Sequence, residues 1–358
     1  MTLPQPVRYS ADLEEIKPDE QEVIADLNDT FDTILNRTAE DYGHAVRSVH
    51  AKSHGILDGT LEVENDLPSE LQQGLFATPA SYKIYMRLST NAGDILPDAI
   101  SLPRGLAMKV VGVEGPRIEG AEGSTQDFVM VNGPVFQTPD AKKFHGNLKM
   151  LAKTTDRMEG TKKVVSSVLQ TVNTALEAVG IESSKVQSLG GAPNSDPLGE
   201  TYFSVTPFLY GDYVAKFRLK PVSQGLVKLT GREIDTSVSD DAIRETVQAE
   251  MRDTAGEWLL QVQLCRDLEK QPIEDPTVEW KEDEAPFTTV ARIKAGPQDS
   301  WSDANVQKVD EEMRFSVWTG LAAHRPLGNI NRARKDTYEH SSQFRAAFNR
   351  CPMHEPTT

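Results

Sequence analysis

The chain has 358 residues, 38% hydrophobic and 26% charged, the composition of a globular protein long enough for one large domain or two ordinary ones. A net charge of −16 excludes the basic surface that nucleic acid requires and argues against docking on anionic lipid. Two cysteines, Cys265 and Cys351, exclude a disulfide framework by count, and without a CxxC pair they make no structural zinc motif.

No apolar h-region opens the chain, and no run of about 18 apolar residues follows, so neither a secretory signal nor a membrane span is expected. The expected compartment is reducing cytoplasm. Residues 19–42 predict a helix, because Ile24, Leu27, Phe31, Ile34 and Leu35 fall at three- and four-residue spacings. The period then changes to two. Leu57, Gly59, Leu61 and Val63 share one face of a strand, and Tyr82, Ile84, Met86 and Leu88 one face of the next. "RGLAMKVVGVEG" and "DFVMVNGPVF" are two further strands. Helical spacing returns at residues 150–180, with Val165, Val168, Leu169, Val172, Leu176 and Val179 in one stripe and Gly180 as C-cap. A turn-rich loop covers 188–199. Strands resume at "ETYFSVTPF", "DYVAKFRLKPV" and "EWLLQVQLC", and from about 303 the chain reads as helical. This grouping predicts one α+β domain over 1–358. A helical arm occupies about 1–42, a barrel about 43–295 with a helical insert at 150–200, and C-terminal helices about 303–350. About eight antiparallel strands can protect their edges by closing on themselves.

Three stretches hold candidate chemistry. "RSVHAKSHG" contains Arg47, His50 and His54. A four-residue histidine spacing suits a metal on a helix, but the period here is two and no third ligand stands nearby. Alternation would send Arg47 and His50 to opposite faces, so joint service in one site requires irregular chain before about residue 55. "MVNGPVF" offers Asn132, otherwise a turn residue. In "NINRARKDTYEHSSQFRAAF", helical geometry places Arg334, Tyr338 and Arg345 within about 40° on one face. Close guanidiniums favour a phenolate, a known axial ligand of haem iron. The same stripe also reads as a surface helix whose arginines cover a tyrosine.

Together, and in order, these stretches resemble the haem catalase superfamily, specifically a small relative with the catalase core alone. "RSVHAKS" is similar to R-x-x-H-A-K-G, "YMRLSTNAG" to the R-F-S-T segment, and "LPRGLAMKV" to D-P-R-G-F-A-V-K-F. "NGPVFQTPDAKKF" resembles N-T-P-V-F-F-x-R-D-x-x-x-F, and Arg334, Tyr338 and Arg345 fit R-x-x-x-Y-x(6)-R. The resemblance implies a catalase-like closed antiparallel β-barrel with flanking helices, binding haem b. His50 and Asn132 become the distal catalytic pair, and Tyr338 the iron ligand, held as phenolate by Arg334. Arg47, Arg87 and Arg345 become partners of the haem propionates, whose carboxylates suit the guanidinium fork. Ser89 lies by the distal histidine, while Phe144 and Val49 pack on the distal haem face. Catalases carry valine at the position of Val49, where related coral allene oxide synthases carry threonine.

The implied activity is that of a haem-dependent hydroperoxidase, a catalase or a peroxidase, acting on hydrogen peroxide or organic hydroperoxides, with an organic electron donor in the peroxidase case. The alternatives are a fatty-acid hydroperoxide isomerase or dehydratase of the allene oxide synthase type and a non-catalytic haem-binding protein. Departures stand at Ser53, Gly133 and Gln137, only 13 residues follow Arg345, and the family's NADPH site has no match. The sequence leaves self-association open.

Overall fold

In the computed structural model, which describes residues 3–155 and 193–357, the strands join into one nine-stranded antiparallel sheet. They are β1 Ser53–Val63, β2 Ser81–Thr90, β3 Arg104–Val111, β4 Thr125–Val131, β5 Tyr202–Phe203, β6 Phe208–Tyr210, β7 Tyr213–Pro221, β8 Gly256–Leu264 and β9 Thr288–Ala295. Their order is β5-β4-β3-β2-β1-β9-β8-β7-β6, and β5 also pairs with β7. That second pairing closes eight strands into a barrel and leaves β6 as a hairpin arm on β7. Closure removes the edges that an eight-stranded open sheet would expose.

The period-two pattern decides what fills the barrel. Leu57, Leu61, Ile84, Met86, Leu88, Met108, Phe128, Phe217 and Leu260 point inward as one continuous core. The outer face is apolar too where something covers it. Ile56, Tyr85 and Val111 form a separate cluster with Val309 and Met313, contributed by the chain just after β9. Inward-outward alternation is therefore blurred in β1 and β2, as expected where both faces are buried.

The predicted N-terminal helix is α1, Glu20–Tyr42, which buries Val23, Ile24, Leu27, Phe31 and Leu35. It stops at Gly43, whose φ of 63° is the left-handed C-cap that glycine adopts without penalty. It packs against α2, Ala141–Thr155, and α4, Asn329–Asn349; α3, Ala242–Asp253, lies on β1. The stripe from Val165 to Val179 and its cap Gly180 lie outside the described residues. Of the expected loop at 188–199, residues 193–199 are described, ending in a 3-10 turn, Pro197–Gly199.

The chain after 303 differs from the helical expectation. A single α-helical turn, Asp303–Asn305, runs into a π-helical turn, Val306–Glu311; irregular chain with one 3-10 turn follows, and α4 begins only at Asn329. The segment "ETYFSVTPF" is two strands rather than one. Val205 breaks it with φ of 54°, a conformation that β-branched residues rarely adopt. Strand β9 and helix α3 were absent from the sequence expectation.

Candidate functional site

Between β1 and the end of α1 the chain is irregular, as joint use of Arg47 and His50 demands. Residues 44–52 form no strand. Asn349 clips this loop to α4, its Oδ1 accepting from Ala45 N at 2.7 Å and its Nδ2 donating to Ala45 O at 2.9 Å. Further along, the Ser48 N–H donates to Ser341 Oγ at 3.2 Å. The distal loop is thus tied to the face of the helix that carries Tyr338.

A cavity with about 600 Å³ of empty space lies between them. Loop 47–50, the strands β2, β3 and β4, the 314–315 segment and α4 all contribute to its lining. Arg47, Val49, His50, Arg87, Ser89, Tyr338 and Arg345 line it.

His50 is held in an uncommon way. Its φ is 54°, a left-handed conformation costing a non-glycine residue roughly 1–3 kcal/mol. Its ring lies flat on Gly105, where any β-carbon would collide with Cε1 and Nδ1. Nδ1 meets Ser89 Oγ at 3.0 Å. Burial first, then the charges of Arg87, Arg334 and Arg47, push its pKa down to about 3. His50 is a neutral imidazole at ordinary pH.

Opposite, Arg334 approaches the Tyr338 phenol oxygen with two N–H groups, Nη2 at 3.0 Å and Nε at 3.3 Å. Its Nη1 donates to Asn331 Oδ1 at 3.2 Å, which fixes the plane of the guanidinium. The phenol oxygen therefore receives two charge-assisted hydrogen bonds and faces the cavity.

Arg47, Arg87 and Arg345 do converge, but around a residue that no motif singles out. Asp310 Oδ1 accepts from Arg47 Nη1 and from Arg87 Nε, both at 2.6 Å. Arg345 Nη2 donates to the carbonyls of Asp310 and Glu311, at 2.8 and 2.9 Å. Burial raises the pKa of the Asp310 carboxyl, but Arg87 and Arg47 outweigh it and hold the value down at about 2. Asp310 lies in "KVDEEMRF", an ordinary charged run, so nothing in the sequence marks it.

Three expected site residues do not line the cavity: Asn132, Phe144 and Arg334, the last of which reaches it only through Tyr338. Asn132 directly follows β4; its Oδ1 accepts from Arg104 N at 2.8 Å, which leaves Nδ2 as the donor. Phe144, on α2, packs with Phe136 at 5.7 Å between centroids, against the same helical cluster that Val49 touches. His54 belongs to the fold rather than the site. It is fully buried, meets Thr90 Oγ1 through Nε2 at 3.2 Å, and its pKa is pushed well down, chiefly by burial. Ser53 opens β1 at a register irregularity and donates to Leu88 O at 3.4 Å. Among the described residues no cluster of histidine, cysteine and carboxylate side chains could hold a metal ion.

A family model described as Catalase matches residues 32–303. The chain belongs to the catalase family. That match includes the distal loop and β1–β9 but ends before Arg334, Tyr338 and Arg345. Solved catalase structures resemble the whole fold. A fungal catalase is 19% identical, with a TM-score of 0.61 over 89% of this chain and 63% of its own. Catalase A from Saccharomyces cerevisiae is 16% identical, with a TM-score of 0.59 over 98% of this chain and 69% of its own. A bacterial catalase is 15% identical, with a TM-score of 0.59 over 91% and 64%. This catalase-family chain therefore spans less than two thirds of the length of two of these three. No curated protein matches it by sequence. No helix among the described residues is long and apolar enough to cross a membrane.

Proposed function

We propose that this protein is a haem-dependent hydroperoxidase that binds haem b in the cavity between His50 and Tyr338 and acts on hydrogen peroxide or organic hydroperoxides. One observation carries the reading. A neutral buried histidine and a phenol oxygen braced by guanidinium line the same cavity, with arginines at its margin. The donor set fits haem. Tyr338 would ligate iron through the phenol oxygen that Arg334 bonds. Arg47 and Arg345, both at the cavity wall, would meet the propionates. Bound haem would supply the redox-active ferric iron.

The chain's own residues handle protons and orientation. With the Ser89 hydroxyl turned to Gly105 O, 3.5 Å away, its Oγ would accept from Nδ1–H of His50. That tautomer leaves Nε2 as the base. Nε2 takes the proton from one peroxide oxygen and returns it to the other as that bond breaks. Asn132 does not line the cavity; with its Oδ1 already used, its Nδ2 would have to turn inward to donate to the peroxide and stabilise developing charge. Val49 supplies an apolar wall. The reading places the protein in the cytoplasm as an expectation from its sequence, and self-association is open to direct measurement.

Haem titration of the purified protein tests the reading; absence of a Soret band after reconstitution overturns it. Product assays then separate the chemistries. Oxygen evolution marks a catalase, donor oxidation without oxygen a peroxidase, and a rearranged fatty-acid hydroperoxide an isomerase or dehydratase. Unchanged peroxide turnover in His50→Ala would make the protein a haem carrier.

A further inference from the structure

We infer that Asp310 is the positioning residue of His50, acting through Arg87: the carboxylate fixes the guanidinium, and the guanidinium fixes the left-handed backbone that carries the imidazole. The inference rests on His50 being the working base of the cavity.

The chain of contacts is continuous. Arg87 uses all three of its nitrogens on the protein: Nε donates to Asp310 Oδ1 at 2.6 Å, Nη1 to His50 O at 2.9 Å and Nη2 to Ala51 O at 3.1 Å. Two successive carbonyls on one guanidinium face are what hold residue 50 at positive φ, since rotation to an ordinary conformation would swing both away. The Arg87 side chain is 2% exposed, so water is a poor substitute partner.

Asp310 is itself presented, not merely nearby. The π-helical turn Val306–Glu311 raises it, and the flanking Val309 and Met313 are anchored in the apolar cluster with Ile56, Tyr85 and Val111. Arg47 Nη2 donates to the carbonyls of Val309 and Met313, at 3.3 and 3.1 Å, and Arg345 holds those of Asp310 and Glu311. Two of the three arginines expected for an external anion thus build a cradle for an internal one. Arg87, pointed at the protein on every nitrogen, is assigned to His50 rather than to a bound carboxylate.

Amide hydrogen exchange on the haem-free protein tests this without relying on turnover. In Asp310→Ala, the amides of His50 and Ala51, which bond to Asn91 O and Ala92 O, should exchange at least about tenfold faster, while those of α4 and β8 hold their wild-type rates. Asp310→Glu should restore protection, and Glu311→Gln should leave it intact. If Asp310→Ala does not fold, Asp310→Asn serves, since it keeps the shape and loses the charge. In the haem-loaded protein, cyanide binding should slow about tenfold in Asp310→Ala, because the incoming HCN must give its proton to a correctly placed base. Unchanged exchange at His50 and Ala51, or a rise spread evenly over the barrel, overturns the inference. A missing Soret band overturns the haem reading alone, since the exchange result stands without haem.

Discussion

At the scale of single residues, the site is a balance between placement and protonation. His50 is kept neutral by burial and by three guanidiniums, with its pKa near 3. A base works above its pKa, so His50 should contribute no inflection to the peroxide reaction between about pH 5 and pH 9, and the rate should fall only as pH approaches that low value. A stopped-flow profile with a midpoint near 6.5 would contradict this. His50→Ala should lower peroxide reactivity by roughly 10²–10⁴-fold with the Soret band intact. Gly105→Ala makes a different demand. Its new methyl group meets the imidazole, so reactivity should fall while haem uptake is retained. Such motif residues were legible because the chemistry is local: R-x-x-H places Arg47 and His50 on one short loop, and a helix places Arg334 four residues from Tyr338. Asp310 was not, because its significance comes from a tertiary meeting with residues more than two hundred positions earlier.

At the scale of elements, regular periodicity was readable and irregularity was not. Strand β2 occupies the quoted stretch "SYKIYMRLST" from end to end, and Tyr82, Ile84, Met86 and Leu88 face the barrel core as expected. Strand β9 was missed because Thr288, Thr289, Arg292 and Lys294 dilute its apolar signal, even though Val290, Ala291 and Ile293 are buried. The β1–β9 seam depends on close approach. Gly59 lies so near the Lys294 carbonyl that a β-carbon would strike backbone, which cannot give way as a side chain can. Gly59→Ala should therefore lower stability by about 1–3 kcal/mol, read as a lower denaturation midpoint, with the haem spectrum of the folded fraction unchanged. A neutral result would mean that the seam flexes.

At the scale of the whole molecule, an acidic protein encloses a cationic cavity. Net charge −16 belongs to the exterior, whereas Arg47, Arg87, Arg334 and Arg345 gather inside. Haem that binds only the folded state should stabilise it by about 4 kcal/mol at a thousandfold excess over its Kd. For a chain of this length that corresponds to a rise of roughly 5 °C in Tm. Calorimetry with and without haem checks this, and an unchanged Tm at saturating haem would count against specific binding.

The barrel closes through a strand of two residues, and the cavity draws one wall from residues 47–130 and the rest from 314–315 and 338–345. On the ribosome the distal loop and all nine strands are made before Tyr338 and Arg345 exist. The pocket is therefore finished only when the last helix docks. On the proposed reading, cofactor loading becomes a late event in biogenesis, and a truncated or stalled product would carry all nine strands but lack Tyr338.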